Sequence, residues 1–402
     1  MNTHHQKAWY FNVSFDLFLA GYDLSKLQPI FNESTIYFAC VGMRRDRILL
    51  DIEPDPSFFR YLDEHEIDYP LPLSREDNTA DLSGSPWGWD SNACSRFESL
   101  NIHTDHPSLD TVKKVNSRTY SFGIGEEFGY GVPGARLFCN SSELFAFLER
   151  KATYPSVIKP FHGNAGIGFM HMKAPGMSPA VKKRIENLCA PHNYGVIYEP
   201  WLQRAADIST RLTINRNGTC IDISHHQTLN NSGGVFYGIV LAPNNKTLTP
   251  WRDQLDTMAH RIGAYLFDEG YWGPVGIDSI VYEKNGALSI ALCVEINARR
   301  AMSIMAYSLR EKLAPDSCCL FEFAQLKNYR DINSYTRLSS LAFNRKTKKG
   351  VFLFTPLSLH ADGRKTPPQK IGFFITAPSM PEMWEIDTKL RSTFKKKPGS
   401  HQ

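Results

Sequence analysis

Near the end of the stretch GPVGIDSIVYEKNGALSIALCVEINARR, residues 273–300, Glu295, Asn297 and Arg299 recur at every second position, and Asp278 stands near its start. Two carboxylates and a carboxamide oxygen are hard donors of the kind magnesium takes, with water and substrate phosphates completing its octahedron. A guanidinium just beyond them can neutralise an oxygen that turns negative during acyl or phosphoryl transfer. An ordinary solvated strand face shows the same alternation, so position decides between the two readings.

The elements that must do the positioning are two strands. Asn285-Gly286 is a hairpin signal, because a type I′ turn needs positive φ at both central residues. If Lys284 pairs with Ala287, the register sets Asp278 opposite Cys293, with Glu295 its diagonal neighbour and Asn297 and Arg299 following on the same face. The other face of the second arm, Leu288, Ile290, Leu292, Val294 and Ile296, is an apolar row expected to pack on a core. Ala287, Ser289, Ala291 and Cys293 are small and leave room over the polar face. Arg300 is expected to face the other way and to form a structural ion pair.

Composition sets the outer limits. With 402 residues and 42% hydrophobic content, the chain can bury substantial cores and divide into two to four domains. Its net charge of +4 arises from 45 basic and 41 acidic residues spread along the chain, which argues against a nucleic-acid surface. The basic run Lys395–Lys397 reads as a solvated end. No apolar run is long enough to span a bilayer and no secretory leader opens the chain, so a cytoplasmic location is expected. The eight cysteines lack CxxC spacing and read as reduced, mostly buried thiols.

Along the chain, residues 1–110 mix strand-like segments, Thr35 to Gly42 and Arg47 to Leu50, with loops and a short helix after Asp55-Pro56. Trp87 and Trp89 suggest a packed corner between domains, with a substrate-facing lip as the alternative. Asn140-Ser-Ser-Glu143 starts a helix as a capping box. Ser156 to Pro160 is a buried strand carrying one charge, Lys159, which needs an anionic partner or a route to water. Gly163, Gly166 and Gly168 form a loop that could let backbone N–H groups approach phosphate oxygens, though a glycine-rich turn explains it equally well. Ser178-Pro179 starts another helix. Glu199-Pro200-Trp201-Leu202 ends a strand at a hinge. The Asn217-Gly218 hairpin carries Arg211, His225 and His226, which could enter the cleft or lie on the surface. Leu229 to Pro250 reads as a long polar loop, Leu255 to Leu266 as a helix, a second helix runs from Arg300 toward Leu313, and residues 331–402 read as a small appended lobe.

The combination VIKP, GNAGIG, VIYEPW, GID and VEINAR, in that order, resembles the ATP-grasp superfamily over residues 110–310. The resemblance implies an α/β (α+β) fold, a two-lobed clamp closing on ATP. Its expected parts are a preceding N-terminal domain at 1–110, a small lobe at 111–205, a large lobe at 206–330 and the appended lobe at 331–402. It further implies that Lys159 and the 163–168 loop meet the nucleotide phosphates. Glu199, Trp201 and the Leu202 N–H would border the adenine, and Asp207 would lie near the ribose. Asp278, Glu295 and Asn297 would hold magnesium, with manganese as a substitute. Arg299, Arg118 and Arg211 would be the catalytic cations, Arg118 standing where the family usually has a lysine. The implied reaction activates a carboxylate as an acyl phosphate and joins it to an amine, on amino acid or short peptide substrates, in a protein that is often a homodimer. A phosphotransferase to a non-acyl acceptor and a nucleotide-binding regulatory or scaffold protein are the alternatives.

Overall fold

The computed structural model describes residues 6–161, 168–190, 195–329, 332–361 and 363–395. A four-stranded parallel sheet opens the chain, in the order Leu71–Pro72, Arg47–Ile48, Gln6–Tyr10, Leu82–Pro86. The segment Thr35–Cys40, expected as a strand, is a 3-10 helix with every residue buried. Continuous apolar sequence of this length cannot by itself tell a buried strand from a buried helical turn.

A second four-stranded sheet, antiparallel, runs Arg136–Phe138, Val196–Pro200, Ser156–Pro160, Met170–Met172. It forms the smaller lobe. The helix Ser141–Arg150 begins where the Asn140 side chain accepts from the Ser142 and Glu143 N–H groups, and the helix Pro179–Leu188 where Ser178 accepts from Val181. Leu144, Leu148, Ile158, Ile185 and Tyr198 fill the space between sheet and helices.

The larger lobe is an eight-stranded sheet in the order Ala287–Asn297, Gly273–Lys284, Arg204–Ile214, Cys220–Asn230, Phe236–Leu241, Cys318–Gln325, Lys370–Ala377, Gly350–Leu353. Two expectations change here. Residues expected as a polar loop contribute the strand Phe236–Leu241, because Ile239, Val240 and Leu241 form a fully buried run. The C-terminal segment is not a lobe of its own: Lys370–Ala377 and Gly350–Leu353 complete the large sheet. The helix Arg252–Asp268 lies on one face through Leu255, Met258, Ile262 and Leu266. No helix among the described residues is long and apolar enough to cross a membrane.

Candidate active site

The hairpin turns at Asn285 and Gly286, with φ of 53° and 77°, the conformation that Asn-Gly tolerates. From there the ladder runs as counted, Lys284 to Ala287 and Ile280 to Ala291. It then shifts by two residues, and Asp278 comes directly opposite Glu295 instead of Cys293. Two bonds accommodate the bulge. Ser279 Oγ donates to the Leu292 carbonyl at 2.6 Å, and the Cys293 N–H donates to the Tyr130 carbonyl at 2.9 Å. An even shift preserves the side-chain face, so the polar row survives and its carboxylates move from diagonal to facing neighbours. The expected apolar row fares less well. Ile296 is buried, but Leu288 at the hairpin tip is 58% exposed, because this arm is the edge strand of the sheet.

Glu295 and Asp278 share their row with Ser209 across the next strand, and Asn297 faces Gly276 in the adjoining row. Asn297 Nδ2 donates to Asp278 Oδ2 at 3.2 Å. Burial, then the Glu295 charge, pushes the Asp278 carboxyl up to about 6, against the pull of the Ser209 hydrogen bond and Arg299. Two facing carboxylates and a carboxamide therefore crowd negative charge where a divalent cation would relieve it. Among the described residues no group of three or more His, Cys, Asp or Glu could hold a metal.

Three cations surround this row. Arg118, the first residue of the helix Arg118–Phe128, is buried; its Nε donates to Glu295 Oε1 at 2.9 Å and its Nη1 to the Pro160 carbonyl at 3.0 Å. It thereby ties the large lobe's acid to the small lobe's lysine strand. Lys159 pairs with Glu199 at 2.5 Å, both buried, because antiparallel pairing places Val157 opposite Glu199 and makes Lys159 its diagonal neighbour. The Phe169 ring lies 5.0 Å from the Arg118 guanidinium and 5.4 Å from Lys159 Nζ. Arg299 Nε donates to both Asp16 oxygens, at 2.9 and 3.0 Å, and its Nη2 to Asn297 Oδ1 at 3.0 Å. Burial opposes the Arg299 charge, but Asp16 and then Glu295 and Asp278 hold its pKa above the usual value. Arg300 makes no ion pair with a described residue; it donates to Pro86 O and Ser85 Oγ, at 3.2 and 2.7 Å, because the strand has ended at Asn297 and the chain crosses toward the N-terminal sheet.

The remaining expected residues spread around the cleft. Trp201 carries the Arg204 guanidinium at 4.4 Å and meets His171 edge-on at 4.8 Å. Leu202 packs with Val132, Ile280, Tyr282 and Ala291. Asp207 lies in the row beside Asp278 and accepts from Arg204 at 3.1 Å. Gly168 has φ +90° beside Pro160; Gly163 and Gly166 lie outside the described residues. Arg211 is on the Asp278 face but stands against Tyr307 of the helix Ser303–Leu313. Asp16, Ser209 and Tyr307 were not legible as site residues. Asp16 lies 283 positions from its partner Arg299, with no local motif to announce it, whereas Ser209 follows from the hairpin's parity.

No family model matches the sequence, and no curated protein matches it. Solved structures do. Biotin carboxylase from Campylobacter jejuni, in an ATP complex, is similar with a TM-score of 0.57 and 11% identity over 98% of this chain and 92% of its own. N5-carboxyaminoimidazole ribonucleotide synthetase from Thermus thermophilus gives 0.53 and 13%, over 97% and 99%. The chain has the ATP-grasp fold. The biotin carboxylase domain of 2-oxoglutarate carboxylase from Hydrogenobacter thermophilus, a dimer in complex with ADP, magnesium and bicarbonate, shares the ATP-grasp fold with a TM-score of 0.54 and 13% identity over 78% of this chain and 74% of its own.

Proposed function

We propose that this protein is an ATP- and magnesium-dependent ligase that activates a carboxylate as an acyl phosphate and joins it to an amine, acting on amino acids or short peptides. The observation that carries the proposal is the facing pair Asp278 and Glu295, with Asn297 beside them and Arg118 and Arg299 at either end. Asp278, Glu295 and Asn297 would hold the metal, which when bound neutralises phosphate oxygens. Lys159 and Arg118 would place the phosphates, and Arg299 would steady the oxygen that becomes negative when the amine attacks. Trp201, Glu199 and the Leu202 N–H would border the base, and Asp207 the ribose. The ATP, ADP, magnesium and bicarbonate in the neighbouring structures support the cofactor choice and put bicarbonate among the acids to test. A cytoplasmic homodimer is part of this reading, checked by light scattering.

One observation favours the nucleotide-binding regulator as a second reading. Lys159, Arg118 and Arg299 each already have a carboxylate partner, so these three cations are neutralised within the protein and a nucleotide phosphate would compete with Glu199 for Lys159. Screening ADP release against pooled acids and amines, bicarbonate included, with hydroxylamine to trap the acyl phosphate as a hydroxamate, tests the ligase. Substrate-dependent ADP release without hydroxamate from any supporting acid favours phosphoryl transfer elsewhere; nucleotide binding with no ADP release favours the regulator.

A further inference from the structure

We propose that Arg211, Arg310 and His226, gathered around Tyr307, form a subsite for an anionic group of the substrate, a second carboxylate or a phosphate, separate from the carboxylate that is activated. This rests on the ligase reading above. The Arg211 and Arg310 guanidiniums lie 4.3 and 5.2 Å from the centre of the Tyr307 ring. His226 meets the same ring edge-on at 5.8 Å and is 2% exposed. Two strands and one helix therefore bring three nitrogen-bearing side chains to one aromatic post.

What these side chains lack is an acid. Arg211 Nε donates to the Ser224 hydroxyl at 3.0 Å, and among the described residues neither Arg211 nor Arg310 reaches ion-pair distance of a carboxylate; Asp222 and Glu311 act on Arg211 only through space. Arg310 Nε and His226 Nδ1 are buried without a hydrogen-bond partner among the described residues. A buried donor left unmade is destabilising, and a ring face attracts a cation without neutralising it. An oxyanion would supply the acceptor that Arg310 Nε lacks and a counter-charge to both arginines. His226 stays neutral, burial and then Arg211 pushing its pKa down to about 3, so it can offer a ring N–H without adding a third charge.

Register fixes where this anion would lie. His226 faces Ser209, which faces Asp278, all on one side of the sheet, and two strand spacings amount to about 10 Å. Arg211 faces Gly276, which faces Asn297, so a glycine floors the path from the carboxylate pair to the guanidinium. A substrate bridging them carries its second anionic group a few bonds from the activated carboxyl.

The test is titration calorimetry on the full chain with inorganic phosphate, succinate and acetate as probes. Saturable binding of phosphate or succinate, weak binding of acetate, and a tenfold or greater loss of affinity in Arg310→Met are expected. Phosphate preferred over succinate points to a phosphorylated substrate, and the reverse to a dicarboxylate. Lys159→Met should keep this response, whereas Arg310→Met should keep ADP binding. If Lys159→Met abolishes phosphate binding and Arg310→Met does not, the anion sits in the nucleotide cleft; the subsite is then wrong and the ligase reading stands. Unchanged binding of both probes in Arg310→Met and Arg211→Met, or none in wild type, overturns the proposal outright. Should Arg310→Met fail to fold, Arg310→Lys keeps the charge, loses the fork and should give an intermediate affinity.

Discussion

Replacing Asp278 by asparagine in metal-free protein should stabilise it at neutral pH while abolishing the response to magnesium. Burial and Glu295 raise this carboxyl from 3.8 to about 6. A group whose folded pKa lies above its unfolded one contributes most below the unfolded value, and that contribution is lost as pH rises through the folded value. The window is therefore about pH 4 to 6. Two pKa units and a little more correspond to about 3 kcal/mol, an upper figure because Asp278 keeps some solvent contact. At roughly 2.1 cal/mol/K per residue, a chain of this length melting as one unit should gain at most ~3–4 °C. Thermal melts of wild type and Asp278→Asn from pH 4 to 8 in a chelator should coincide near pH 4 and separate above 6, the asparagine variant melting higher. Magnesium with a non-hydrolysable ATP analogue should then raise the wild-type midpoint and leave the variant unmoved. Parallel melting curves across the whole range would refute the claim that these facing carboxylates repel each other in the empty cleft.

Other outcomes follow from the same geometry. Lys159→Met leaves the buried Glu199 unpaired and should cost about 3–5 kcal/mol in denaturant melts; adding Glu199→Gln should restore stability but not nucleotide affinity in calorimetry. Arg299→Ala should lower turnover by about two to three powers of ten with nucleotide affinity little changed, so an equal loss in both would reassign it to nucleotide binding. Arg118→Lys should retain nucleotide binding but weaken it, because a point charge cannot serve Glu295 and the Pro160 carbonyl together; unchanged affinity by calorimetry would count against that double role.

The residues of the candidate site were legible where local rules governed them. Asn-Gly announced the hairpin, two-residue parity put Asp278, Glu295 and Asn297 on one face, and the isolated charge of Lys159 in an apolar strand called for an anionic partner, which proved to be Glu199. Three kinds of information were not local. The bulge that sets Asp278 against Glu295 depends on the Tyr130 carbonyl, which arrives from another element. Strand pairing across the chain draws Lys370–Ala377 and Gly350–Leu353 into the large sheet, and no turn signal encodes that. The exposure of Leu288 reflects an edge position, which alternation alone cannot distinguish from a covered one.

The bond between Asp16 and Arg299 makes the first helix, Phe15–Leu19, a part of the strand that ends in Asn297. A graft that exchanged residues 1–110 for the corresponding piece of another protein would keep every motif of the cleft and still strand a guanidinium without its counter-ion, next to the carboxamide it steadies. Positions 16 and 299 are thus free to drift only in step, and any movement of residue 16 relative to the large sheet tugs directly on Arg299 and, through it, on Asn297.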